Sequence, residues 1–432
     1  MKKLLAIFLL AVSGVQAAAA VEIQDVTSPG GIKAWLVEEH SIPFVSLELR
    51  FKGGGNLDLD GKRGATNLMT GLLEEGTGDL DSRAFAKARD SLAASFGFDV
   101  GADTVSVSAR FLTETQDQAM DLLHQALVAP NFDEASLERV RQQVLTGIRS
   151  SQTDPNDIAG REFALQVYGD HPYATPYEGT AESVTALTRD DIVTAHKNAL
   201  ALDRVYVSAV GDITAEQLGT LLDKLLAGLP ETGAPAPGPA TLTFDGKTTV
   251  KPFETPQSVA LFAQPGMERD DPDYFAAYIL NQILGGSGFD SRLMTEVREK
   301  RGLTYGIGTY LIPRDYAELW MGQVASANDK VADAISVVRD EWSKLAKDGV
   351  TQEELDQAKT YLTGAYPLRF DSNAAIADIL VGMQMDDLPI SYVETRNDNV
   401  NAVTLEQINR VAAELLKPDE LTFMVVGQPA GL

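Results

Sequence analysis

Residues 188–211 (TRDDIVTAHKNALALDRVYVSAVG) and 404–427 (TLEQINRVAAELLKPDELTFMVVG) superpose without a gap. Each opens on a Thr placed to cap an amphipathic helix, turns, and closes with a strand rich in β-branched residues that ends in Gly. A second echo, 132–147 (FDEASLERVRQQVLTG) against 350–364 (VTQEELDQAKTYLTG), follows with a one-residue slip. A chain that repeats itself at such a distance is constrained to fold as two copies of one unit. Between the copies, residues 229–247 (LPETGAPAPGPATLTFDGK) crowd Pro and Gly and lose hydrophobic periodicity, as a semi-rigid connector does.

Strands and helices interleave within each copy. Residues 45–52, 105–112, 259–264 and 319–325 read as strands, and 82–96, 115–128 and 332–346 read as helices with apolar stripes. The expected fold is α+β: two homologous halves, each a mostly antiparallel sheet with helices packed on one face. The expected division is 1–20, an export signal; 21–228, the N-terminal half; 229–247, the linker; and 248–432, the C-terminal half.

The signal reading rests on MKKLLAIFLLAVSGVQAAAA: two lysines, an apolar run over 4–12, and small residues over 17–20 that suit cleavage. The run is too short to span a bilayer. There is no cysteine, hence neither a lipid-modified Cys nor a disulfide, and a soluble periplasmic protein is expected. Formal charge is 36 minus 62, or −26. Nucleic acid and anionic membrane surfaces, which are bound by clustered Lys and Arg, are poor partners for such a chain.

Several segments carry a resemblance to a known family. In order they are LELRFKGGGNLD (47–58), GLLEEGTGD (71–79), HPYATPYEGT (171–180), LGGSGFDSRL (284–293) and EVREKRGLTYGI (296–307), the last being the most specific. The chain resembles the pitrilysin/insulinase zinc peptidases over nearly its whole length. The similarity is to their short-chain, two-domain branch, to which the mitochondrial processing peptidase and the cytochrome bc1 core proteins are related.

Active members of that family carry H-x-x-E-H on their first long helix. Two His one turn apart bind zinc, the intervening Glu is the general base, and a Glu from a later helix completes the ligands. Here residues 64–77 read GATNLMTGLLEEGT, so the first three positions are Asn67, Thr70 and Gly71. The later ligand falls near Gly147, and no carboxylate occurs between Glu138 and Asp154. Asn and Thr are poor zinc ligands, and Gly has no side chain. The resemblance therefore implies a degenerate zinc site and no metal in this chain.

Nothing else in the sequence replaces that chemistry. His40, His124, His171 and His196 are scattered, and His124 falls on an apolar helix face. Glu74 and Glu75 lie where the family helix ends, as a solvated edge would. No Ser sits in a G-x-S-x-G elbow. The run Gly285, Gly286, Ser287, Gly288 has the composition of a phosphate cradle but lacks a following Lys-Ser/Thr pair.

What the resemblance retains is an Arg/Tyr pair. Arg298 and Tyr305 in REKRGLTY match the residues that active relatives supply from their second half to the catalytic chamber. Gly302 is expected to stop the helix carrying Arg298 before a strand bearing Tyr305. A guanidinium there can grip a substrate carbonyl, and a phenol can donate to an oxyanion. Residues 96–108 (FGFDVGADTVSVS) match the family's edge-strand segment, which places Val100, Gly101 and Ala102 where an extended peptide would pair by β-augmentation. The implied function is that of the non-zinc subunit of a heteromeric periplasmic metallopeptidase. Zinc and H-x-x-E-H would come from a homologous partner, and peptides or unfolded segments would be the substrate. The alternative is a catalytically silent structural or chaperone-like peptide-binding protein.

Overall fold

A computed structural model of the chain describes residues 22–432 apart from Phe289, so the expected signal segment 1–20 lies outside the described residues. In the first half the strands are β1 (Gln24–Thr27), β2 (Lys33–Glu38), β3 (Phe44–Lys52), the short hairpin pair β4 (Gly76–Thr77) and β5 (Leu80–Asp81), β6 (Ser95–Val100), β7 (Thr104–Leu112) and β8 (Val205–Gly211). In the second they are β9 (Thr248–Pro252), β10 (Gln257–Pro265), β11 (Ile307–Arg314), β12 (Ala317–Ala327) and β13 (Thr422–Gly427). One sheet runs β1-β2-β8-β3-β7-β6 and the other β11-β12-β10-β13-β9. Read from opposite ends, β2-β8-β3-β7-β6 and β9-β13-β10-β12-β11 are the same topology. In each, one pair is parallel (β2 with β8, β9 with β13) and the others are antiparallel.

The repeated sequence at 188–211 and 404–427 forms equivalent pieces: helix Arg189–Ala199 leading to β8, and helix Leu405–Leu415 leading to β13. Thr188 and Thr404 cap these helices by accepting the N–H groups of Asp191 and Gln407. One expected boundary is corrected. The helix beginning at Ser82 stops at Ser91, and Ala93 turns into the left-handed region with φ 51°. Phe96, Phe98 and Val100 then alternate along the edge strand β6, where the period-two pattern outweighs the helical one.

Each half packs helices of its own on one face of its sheet. On β3, Val45, Leu47, Leu49 and Phe51 enter one core with Leu68, Phe85, Leu123 and Leu222; on β10, Ala260 and Phe262 enter another with Trp342 and Phe423. The second face of each sheet is covered by a helix from the other half. Helix Pro155–Tyr168, from the first half, lays Ile158, Phe163 and Val167 against Val259, Leu261 and Ala263 of β10. Helix Asn373–Met385, from the second half, returns to the first sheet, where Leu380 and Met383 meet Val37 and Val210. Polar ties accompany both crossings. Across the first, Gln323 Nε2 donates to Asn156 Oδ1 at 2.9 Å and Lys251 pairs with Glu162 at 3.1 Å. Across the second, Arg50 Nη2 donates to Asp378 at 2.7 Å, Ser208 to the Ala377 carbonyl at 2.6 Å and Gln384 to the Val207 carbonyl at 2.8 Å.

Residues 230–247 hold neither helix nor strand, yet they are tied down along their length. The Pro230 carbonyl accepts from Leu202 N–H, the Gly238 carbonyl from His171 Nε2, and Ala240 and Thr243 N–H donate to Tyr316 and Val167 carbonyls. No described helix is long and apolar enough to cross a membrane.

Candidate functional site: an emptied zinc position and an exposed corner

Helix Ala65–Gly71 carries Asn67, Thr70 and Gly71. Its start is fixed by Asp58, whose carboxylate accepts the N–H groups of Gly64 and Thr66, both at 2.8 Å. Gly64, with φ 94°, takes a backbone conformation that a side chain would oppose. The helix lasts only two turns, since Gly at position 71 supports it poorly.

The positions expected to mark the lost metal site supply no ligand set. Asn67 and Gly147 line one cavity of about 800 Å³, together with Gly160, Arg161 and Glu178. Thr70 is buried and turns back on its own helix, donating to the Thr66 carbonyl at 2.9 Å. A Cβ at Gly71 would stand 3.1 Å from Val140 Cγ1, whereas one at Gly147 would meet open space. An amide, a back-bonded hydroxyl and two glycines do not fit zinc. Among the described residues, no group of three or more His, Asp or Glu could hold a metal ion.

The other candidates have structural employment. His40 bridges Glu38 and Asp212. His124 Nδ1 and His196 Nε2 stand 2.9 and 2.7 Å from the Leu225 and Leu127 carbonyls. His171 Nδ1 accepts Tyr173 N–H and caps the HPY turn. Glu74 pairs with Arg89 and Glu75 with Arg139.

Arg298 lies on a π-helical turn, Met294–Glu299, with the Lys300 N–H reaching the Thr295 carbonyl five residues back. Gly302, at φ 59°, ends it with its N–H on the Arg298 carbonyl. Tyr305 does not sit on a strand as expected. The Thr304 hydroxyl donates to the Ala325 carbonyl at 2.6 Å and accepts the Gly306 N–H at 3.1 Å, which takes residues 304–306 out of the ladder, so β11 begins at Ile307. The corner is held by Thr304, and by Ser326 donating to the Leu303 carbonyl. Tyr305 is left 88% exposed and makes no hydrogen bond to a described residue.

Of the three edge residues, Val100 ends β6, the outermost strand of its sheet. Gly101 and Ala102 belong to the turn that follows, and their carbonyls already accept from Gly55 and Asn56 N–H, each at 2.9 Å.

The family model described as insulinase (peptidase family M16) matches residues 33–181, and that described as the peptidase M16 inactive domain matches 186–362. The chain belongs to peptidase family M16. Among solved structures this M16 chain is similar to a peptidase M16 inactive domain from Pseudomonas fluorescens, at 32% identity and a TM-score of 0.88 over 95% of this chain and 98% of that one. A Helicobacter pylori protease shares the fold at a TM-score of 0.84 and 18% identity, over 94% and 99% of the two chains. By sequence it is 27% identical to the non-peptidase homolog YmxG of Helicobacter pylori over 99% of this chain and 98% of that protein. It is 26% identical to an uncharacterized zinc protease of Streptomyces coelicolor, over 90% and 88%. The M16 relatives thus include proteins described as inactive and others named as proteases. In this chain positions 67, 70, 71 and 147 hold Asn, Thr, Gly and Gly, without the H-x-x-E-H set.

Proposed function

We propose that this chain is the non-zinc subunit of a heteromeric, exported M16 peptidase. A homologous subunit would supply H-x-x-E-H and zinc, and this chain would supply Arg298 and Tyr305 to the shared chamber. The carrying observation is Tyr305. An aromatic side chain 88% exposed, on a corner whose geometry is fixed by Thr304 and Ser326 instead, is placed to meet something outside this chain. In the assembled chamber the Arg298 guanidinium grips a substrate backbone carbonyl, and the Tyr305 phenol donates to the oxygen on which negative charge develops. Val100, at the end of the edge strand, is the one of the three expected peptide-pairing residues best placed to extend a bound strand.

Mixing the purified chain with a zinc-bearing M16 homologue from the same organism tests this. Neither subunit alone should match the chelator-sensitive peptidase activity of the mixture. Tyr305→Phe should lower turnover in the mixture by about tenfold or more with assembly intact, as loss of one oxyanion donor does. Arg298→Ala should impair both binding and turnover. Unchanged activity in both variants would return the corner to a purely architectural role.

A second reading, a chaperone-like peptide-binding protein, draws support from the cavity of about 800 Å³ beside Asn67, whose wall includes Val144, Ile148 and Pro176. Saturable peptide binding by the chain alone, indifferent to Tyr305, would favour it.

A further inference from the structure

A second cavity, of about 350 Å³, opens in the C-terminal half among helices Tyr274–Gly285, Asn373–Met385 and Tyr392–Ala402. Its volume is that of a small-molecule site. Tyr274, Tyr278, Tyr366 and Tyr392 supply aromatic wall, and Arg269, Arg369 and Arg396 bring positive charge. Three arginines around one small cavity are a local reversal in a chain of net charge −26.

Two of these groups are electrostatically incomplete. Arg396 is only 5% exposed, and its guanidinium donates to neutral acceptors alone: the Leu362 carbonyl at 2.8 Å, Asn397 Oδ1 at 2.9 Å and, more weakly, the Tyr278 hydroxyl at 3.4 Å. It lies over the rings of Tyr366 and Tyr278, at 4.7 and 5.5 Å. Among the described residues no carboxylate forms an ion pair with it. The carboxylates on the cavity wall pair with other groups, Asp378 with Arg50 outside the cavity and Asp386, at 3.9 Å, with the cavity's own Arg269. Beside Arg396, the hydroxyl of Tyr366 is buried and has no hydrogen-bond partner. Burial raises this phenol, so it keeps its proton and remains a donor at neutral pH.

A buried cation without a counter-charge and a buried donor without an acceptor are both costly. One oxyanion would satisfy the two together. We propose that this cavity is a binding site for a small organic anion, its carboxylate or phosphate held by Arg396 and Tyr366 and its body lying against Tyr278 and Tyr274. Arg269 closes the far side, its guanidinium 4.3 Å from the Tyr274 ring centre and bonded to the Tyr392 hydroxyl at 2.7 Å. The site is distinct from both the Asn67 cavity and the Arg298 corner, so its test is independent of the proposed peptidase partnership.

Calorimetric titration of the full chain with benzoate and with inorganic phosphate tests the proposal, with benzylamine as the cationic control. At least one anion should bind saturably, with a Kd of about 1 mM or tighter, and benzylamine should not. Tyr366→Phe removes only an unpartnered hydroxyl and should fold normally. It should weaken that anion by about fivefold, the worth of one hydrogen bond. Arg396→Gln should abolish binding. No saturable binding of either anion, or binding unaltered in Tyr366→Phe, would overturn the site.

Discussion

His196 shows how far a single residue can be read for function or for architecture. Its ring is buried, 2.7 Å through Nε2 from the Leu127 carbonyl and edge-on to Phe132. Burial holds its pKa below the usual 6.5. Its neutral form therefore favours the folded state above pH 6.5, and that contribution is lost as the pH falls through the depressed folded value, because the unfolded chain takes up the proton first. Thermal unfolding followed from pH 7.5 down to pH 5 should show the fall, and His196→Gln should flatten it while preserving a donor to Leu127. An equally steep fall in the variant would assign the acid sensitivity to other groups. Tyr305 is the opposite case, since it stands 88% exposed in a bend and belongs to neither core.

The helix Ala65–Gly71 is the element on which catalysis would have depended, and its surroundings say what restoring a metal would require. Gly147 has room for a carboxylate side chain, while a side chain at Gly71 must displace Val140. Elemental analysis should find no stoichiometric zinc in the wild-type chain. The combined variant Asn67→His, Thr70→Glu, Gly71→His and Gly147→Glu should acquire it, at a cost of about 1–3 kcal/mol from crowding at position 71. One zinc per chain in the wild type, lost in Asn67→Ala, would contradict this account. The identities of these four residues were legible in the sequence because the flanking motifs fix their register. The space around them was not, since the contact of position 71 with Val140 and the open surroundings of Gly147 depend on how a second helix packs. The same holds for the anion cavity: Tyr366 and Arg396 stand on different elements, with no spacing to link them. The repeat itself was plain, because the Thr caps and β-branched strands recur residue for residue, and the strand order of the two sheets follows it.

In the whole molecule the halves are joined by more than a linker. Helix Pro155–Tyr168, which is not among the helices expected from sequence, buries Ile158, Phe163 and Val167 on the sheet of the other half, a contact with no local sequence signal. We propose that residues 229–247 are the boundary at which limited proteolysis first cuts, since they lie outside helix and strand on the surface and are held only at scattered hydrogen bonds. The two fragments of near-equal mass should separate on a denaturing gel yet co-elute under native conditions, held by the crossed helices. Phe163→Ala should lower stability by about 3–5 kcal/mol and let the nicked halves part. First cleavage within 82–96 would move the boundary. The crossing also sets a timetable for synthesis. Helix Pro155–Tyr168 leaves the ribosome well before β10, roughly ninety residues earlier, which at about 5–20 residues per second is a wait on the order of ten seconds. Throughout that interval its apolar stripe has no sheet to cover it, and the first half is a client for whatever shields nascent chains. A protein whose halves must finish together is suited to being kept unfolded until all of it has been delivered.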